Sequence, residues 1–223
     1  MRKPSILLLL LLAGLLSPGS APAYDDNHPR LLFDPAMLAW LPDSIAVDPV
    51  KGDTWDRMET MAELYQYLHP VNVLSSNYGM ASFPTLGFVA HLAEEILAGP
   101  VEAKLLQTTL FLAENHEVYG EGDDLSAVLR LRSLLLGYDM AFAAATPEEH
   151  QVVADEILTY LEAMTTDSFF TRGIYNPFCH NHGICVGSVL IMAELCLRDD
   201  WPDEPLLATA RELGEQLVAK GMS

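Results

Sequence analysis

The chain has 223 residues, half of them apolar, and carries 31 acidic side chains against 12 basic ones, a formal charge of −19. A chain this acidic is a poor partner for nucleic acid or an anionic membrane surface, and one this apolar is not a solvated disordered tail. Three cysteines, an odd number, exclude a disulfide framework as the main source of stability and leave at least one thiol free or intermolecular.

Residues 1–23 have the three parts of a secretory signal: Arg2 and Lys3, the apolar run 6–16, and Ser20-Ala21-Pro22-Ala23 as a small-residue cleavage site. The run is too short for a permanent membrane span, and no later stretch reads as long and uncharged enough for one. No Cys follows it to take a lipid, so no membrane anchor is expected. The mature chain is therefore expected to be secreted or periplasmic after cleavage near Ala23. Residues 24–223 keep 10 basic and 31 acidic side chains, a formal charge of −21, and are long enough for one substantial core. No second domain boundary, low-complexity tract or strict repeat interrupts them.

His28-Pro29-Arg30-Leu31-Leu32-Phe33-Asp34-Pro35 reads as an extended opening segment, and a short helix is expected over 36–41 because the two prolines resist a longer one. Further helices are expected over 54–68, 84–98, 101–115, 125–145, 147–165, 183–197 and 205–220. Their punctuation is chemical. Thr146-Pro147-Glu148-Glu149 offers a capping Thr, a Pro at the first position and acids in the first turn; Gly99-Pro100 is expected to stop one helix, and Asp203 before Pro205 precedes another. Alternating β-branched runs bounded by turns are not found, so the class is all-α. Short connections imply antiparallel helical hairpins, which build either a solenoid or a closed α/α toroid.

One stretch concentrates the candidate chemistry: Asn176-Pro177-Phe178-Cys179-His180-Asn181-His182-Gly183, running into an apolar segment. Pro177 disfavours the helical conformation at Asn176, and Asn181 has the chemistry of an N-cap. From Gly183, the positions Ile184, Val186, Val189, Leu190, Ala193 and Leu197 recur at helical spacing. An amide and imidazoles are thus expected at the rim of a packed helix. Simple capping accounts for Asn181 equally well. Cys179, His180, His182 and Cys185 also form a set of metal-ligand types, but their spacing does not match the usual zinc patterns; a Cys179–Cys185 disulfide is a further alternative. No metal or cofactor is expected.

The opening His28-Pro29-Arg30-Leu31-Leu32-Phe33, the Phe88-Val89-Ala90-His91-Leu92-Ala93 to Phe111-Leu112 pair, Gly137-Tyr138-Asp139-Met140-Ala141 and above all Asn181-His182-Gly183 resemble the heparinase II/III-like polysaccharide lyases. The likeness runs over nearly all of the mature chain, in the family's order. It implies that 24–223 is the N-terminal part of an α/α toroid, incomplete here, usually followed by a β-sandwich domain. It also implies β-elimination of an anionic, uronate-containing polysaccharide. In that chemistry a neutral donor takes up enolate-like charge, the role the resemblance gives Asn181. An imidazole with an unperturbed pKa near 6.5 serves as base or auxiliary donor, the role it gives His182. Tyr138, His180 and Asn176 are the candidate substrate-binding residues.

The chain departs from the family in three respects. It ends at Ser223 before an obvious counterpart of the family's proton-donating Tyr, it lacks the strand-rich sandwich, and it is itself acidic. If the toroid is cut short, its final helices should expose apolar surface. Arg130, Arg132, Arg172 and Arg198 are cations that could line a cleft. Trp40, Trp55 and Trp201 could stack on sugar rings, though core packing explains them as well. Two other functions stay open: a non-catalytic helical glycan-binding module, and an α/α-toroid glycoside hydrolase, which needs two opposed carboxylates. No acid adjoins the Asn181-His182 stretch in sequence.

Overall fold

The structure, a computed structural model, describes residue 31 and residues 35–119, 124–175 and 180–223. Among these the protein is all-α, with no strand. Helices α1 (Pro35–Val47), α2 (Pro49–Tyr65), α3 (Pro70–Leu74), α4 (Asn77–Ser82) and α5 (Leu86–Leu92) precede the long α6 (Glu95–Glu114). A short α7 (His116–Tyr119) follows, then α8 (Asp124–Met140), α9 (Pro147–Thr166), α10 (Ser168–Tyr175), α11 (His180–Leu197) and α12 (Pro205–Gly221).

Helix α8 is the hub. Every residue from Ser133 to Met140 is buried, so the helix has no solvated stripe over its second half and must be enclosed by neighbours. It packs against α4, α6, α9 and α11. Leu105 and Leu112 of α6, Leu131, Leu134 and Leu135 of α8, Ile157, Leu161 and Met164 of α9, and Leu190 and Leu197 of α11 form the centre of the core. The small residue Gly137 lets α6 approach, because a Cβ there would lie 2.1 Å from Thr109 Oγ1. Helices α11 and α12 meet backbone to backbone, with a Cβ at Gly214 falling 2.7 Å from the Gly187 carbonyl oxygen.

Capping chemistry sets several boundaries, the start of α9 as expected. Thr146 and Glu149 form a reciprocal capping box at the start of α9. At α12 the cap differs from the expected Asp203: it is the next residue, Glu204, whose side chain accepts from Leu206 N, with Pro205 in the first turn. The opening segment is tied down from a distance: buried Asp139 accepts the Leu31 backbone N–H at 2.9 Å across 108 positions.

Other boundaries differ from expectation. Gly99-Pro100 does not stop a helix; α6 runs through it. Pro100 removes the donor for the carbonyl of Ile96, but Ile96 is 86% exposed, so water can satisfy that oxygen. The expected helix 84–98 is instead a 3₁₀ turn (Phe83–Thr85), α5, and extended backbone at Ala93 and Glu94 before α6 restarts. Helix α1 continues through Pro42 to Val47, and α8 ends at Met140. The eight-residue α10 was not expected at all. Helix α6 passes the length and composition test for crossing a membrane, contrary to the sequence reading, but here it carries core residues from Val101 to Ala113.

The exposed large apolar side chains do not gather on the final helices. Trp40, Val47, Val50, Leu64, Tyr67, Val71 and Tyr78 lie in and between α1 and α4, whereas α12 turns Leu207, Ala210 and Leu217 inward and leaves only neighbouring Met222 exposed.

Candidate active site

Three helix ends converge on one carboxylate. Asp124 opens α8 and is 3% exposed; a charge so enclosed requires partners. Its Oδ1 accepts the Leu125 N–H at 3.0 Å. Its Oδ2 lies 2.7 Å from His182 Nδ1, on the first turn of α11, and 3.3 Å from Arg172 Nη2 on α10. The Arg172 guanidinium in turn lies over the Phe169 ring, 4.0 Å from its centroid, which restricts where it can point.

This arrangement selects one form of the imidazole. The carboxylate can only accept, so Nδ1 carries hydrogen and, in the neutral ring, the lone pair sits on Nε2, directed away from Asp124. The His182 side chain is 32% exposed, so a proton can reach it from solvent or from a ligand. The cluster thus has an imidazole held by a buried carboxylate, with a half-exposed guanidinium beside it.

Cys185 lies three residues beyond His182, one turn further along the same side of α11. Burial, and then the negative charge of Asp124, raise its thiol above the ordinary range, with Arg132 opposing. A protonated thiol is a poor nucleophile, so a cysteine-nucleophile reading of the Cys185–His182–Asp124 grouping is disfavoured. Among the described residues Cys185 and Cys196 are free thiols; the Cys179–Cys185 disulfide alternative falls on Cys179, which lies outside them. Among the described residues no three His, Cys, Asp or Glu side chains come together as metal ligands; Cys179 lies outside them.

The expected site residues are brought together only in part. Asn181 is exposed next to His182, but α11 already begins at His180, so Asn181 is inside the helix and cannot be its N-cap. Asn176 and the His180 side chain lie outside what the structure describes. Tyr138 does not share the site. It lies 14 residues beyond Asp124 on α8, about 21 Å along the axis at the usual helical rise, buried at 4% exposure. Its ring packs on those of Phe142 and His150, with centroids at 5.5 and 5.3 Å.

The four arginines do not line one cleft. Of the four, Arg172 is the one that pairs with Asp124. Arg132 donates to the Ala81 carbonyl, Arg130 bonds to the Tyr160 side chain, and Arg198 pairs with Glu194 and Asp199 at the far end of α11.

Asp124 is the residue that sequence reading missed. Asp123-Asp124 after Gly120-Glu121-Gly122 looks like ordinary acid enrichment in a first helical turn, and nothing local ties it to a histidine 58 positions away. A second carboxylate–imidazole pair was also missed. His116 Nδ1 lies 2.5 Å from Glu156 Oε1, with the Tyr160 ring against the imidazole at 5.6 Å between centroids. Burial raises the Glu156 carboxyl, an effect His116 opposes.

No protein-family profile, curated protein or solved structure matches this chain.

Proposed function

We propose that the protein is a secreted or periplasmic polysaccharide lyase that cleaves a uronate-containing polysaccharide by β-elimination, with its helical hairpins forming part of an α/α toroid. The Asp124–His182 pair, with Arg172 on the same carboxylate and the exposed Asn181 next to His182 in the chain, is the observation that carries this reading. Elimination needs a base for the proton on the carbon next to the uronate carboxylate, and His182 Nε2 has the free lone pair and the partial exposure for that task. As the C–H bond breaks, its electron pair forms the new ring double bond and the glycosidic C–O bond opens. The leaving oxygen takes a proton, which His182 can return. Charge developing on the carboxylate is met by a neutral amide, Asn181, and by the Arg172 guanidinium.

The hydrolase alternative is weaker. It requires two carboxylates facing a glycosidic bond, and among the described residues the one acid at His182 is Asp124, already engaged by the Arg172 guanidinium and the His182 imidazole. A purely binding role would give no reason for a buried carboxylate to fix the tautomer of a half-exposed histidine.

The test is optical. Incubation with a panel of uronate polymers such as alginate and heparan sulfate should raise near-ultraviolet absorbance, because elimination leaves a conjugated, unsaturated uronate at the new non-reducing end. Release of reducing ends without that chromophore would sink the elimination reading and favour hydrolysis.

A further inference from the structure

Arg132 carries a charge with no counter-charge beside it. It lies two turns beyond Asp124 on α8, about 12 Å along the axis, where it reaches both the end of α4 and the first turns of α11. Long side chains on a helix lean toward its N-terminus, which for Arg132 is the Asp124 end. The Cys185 thiol, one turn past His182, senses both groups: Asp124 raises it and Arg132 opposes. Arg132 thus stands next to the Asp124–His182 cluster, on the flank that faces α4.

Its bonding within the protein leaves most of its capacity unused. Nη2 donates to the Ala81 carbonyl at 3.2 Å and Nε is shielded without an acceptor, so Nη1 is the nitrogen of this half-buried side chain left to meet a ligand. Among the described residues no carboxylate pairs with it. That is unexpected in a chain with 31 acids and 12 bases. Arg57, Arg172, Arg198 and Arg211 each pair with an acid, and Arg130 bonds to Tyr160. A guanidinium stays protonated even where burial lowers its pKa, as it does here, so enclosing this charge calls for an anion to offset the cost. Asp124 cannot supply it, since its oxygens already meet the Leu125 N–H, His182 and Arg172. Two guanidinium groups then stand around one carboxylate, a local positive excess in an acidic protein. Capping the Ala81 carbonyl needs one neutral donor and gives no reason for the charge.

We infer that Arg132 is a second carboxylate-binding point, taking the carboxylate of a neighbouring uronate ring while Asn181 and Arg172 meet that of the ring undergoing elimination. The substrate class rests on the lyase reading. A carboxylate gives Nη1 a charged acceptor, and every ring of a polyuronate carries one, whereas a neutral glycan offers only hydroxyls.

Titration of the full chain with trisaccharides of mannuronate, guluronate, galacturonate and glucuronate, beside neutral cellotriose and inorganic sulfate, tests it. The ¹H–¹⁵N signal of Arg132 Nε, protected from exchange by its shielding and assigned by its loss in Arg132→Lys, reports the contact, and calorimetry gives the affinities. One of the uronate trisaccharides should displace that signal saturably, and cellotriose should not. Arg132→Gln should weaken the same trisaccharide about tenfold, the effect of one lost charge-assisted hydrogen bond, with Arg132→Lys serving should the Gln variant not fold. Arg198→Gln, at the far end of α11, should leave binding unchanged. On a polymer that is turned over, the loss at Arg132 should fall mainly on KM. Displacement by none of the uronates, equal displacement by cellotriose or sulfate, or folded Arg132 variants that keep wild-type affinity and lose only melting temperature, as a helix cap would, would each overturn the inference. Failure of the elimination assay alongside uronate binding at Arg132 would instead sink the lyase reading and leave this site standing. Normal elimination with an unchanged KM in Arg132→Lys would do the reverse.

Discussion

His182 Nδ1 and Asp124 Oδ2 lie 2.7 Å apart although 58 positions separate the two residues, and the contact joins the first turns of α8 and α11. The carboxylate fixes which imidazole nitrogen carries hydrogen, and in the proposed elimination it faces the ring that takes up the proton. Asp124→Asn keeps the shape and removes the charge. Turnover on a uronate polymer should fall by about two to four orders of magnitude with little change in KM, as when the orienting acid of a catalytic histidine is replaced elsewhere. The ¹⁵N shifts of the His182 ring should report a changed tautomer population. Turnover within twofold of wild type would show that the pair is structural.

Asn181 stands beside that base with its side chain in solvent, so replacing it should leave stability almost untouched. Asn181→Ala should lower kcat by roughly two to three orders of magnitude with a smaller effect on KM, because in the proposed elimination the donor it removes acts on charge that develops in the transition state. His182→Ala should lower turnover at least as far. Steady-state kinetics on the same polymer reads both.

Cys185 offers a control on the identity of the reacting group. Its thiol is raised by burial and by Asp124, so it stays protonated at neutral pH. Alkylation by iodoacetamide should be slow at pH 7 and accelerate well into the alkaline range. Cys185→Ser should retain most of the activity. Rapid alkylation at pH 7, or inactivation by that substitution, would point to a cysteine nucleophile.

The Glu156 carboxyl, raised by burial against the opposing influence of His116, makes a prediction about pH and stability. A carboxyl whose folded pKa exceeds its unfolded value of about 4.3 contributes stability that is complete below that value and is lost as pH rises through the folded pKa. Gln at this position cannot titrate. The melting temperature of Glu156→Gln relative to wild type should therefore climb between pH 4 and pH 7. A flat or falling difference over that interval would contradict the assignment.

Gly214→Ala probes the backbone contact between α11 and α12. Its added carbon would meet the Gly187 carbonyl at 2.7 Å and Ile191 Cγ1 at 2.9 Å, and a backbone oxygen cannot rotate away. The expected loss is about 1–3 kcal/mol, or a fall of several degrees in Tm for a chain of this size, read by calorimetry. Gly99→Ala, where a Cβ meets nothing within 4 Å, should not destabilise and serves as the reference.

The sequence by itself determined the helical class, the capped start of α9, and the presence of histidine at the start of an apolar helix. These follow from forces acting over a few residues: the 3.6-residue period, proline's fixed φ and the bond between a capping side chain and the next free N–H. Pro100 within α6 was not legible, because the cost of its missing donor depends on whether water reaches the Ile96 carbonyl, and that is set by what packs around it. Nor was the separation of Tyr138 from His182, since position on a helix carries no information about which end meets which neighbour. Tertiary structure alone decided that Asp124 and Arg172 stand at His182. A charge buried to 3% exposure must find its partners wherever the folded chain brings them, here 48 and 58 positions away.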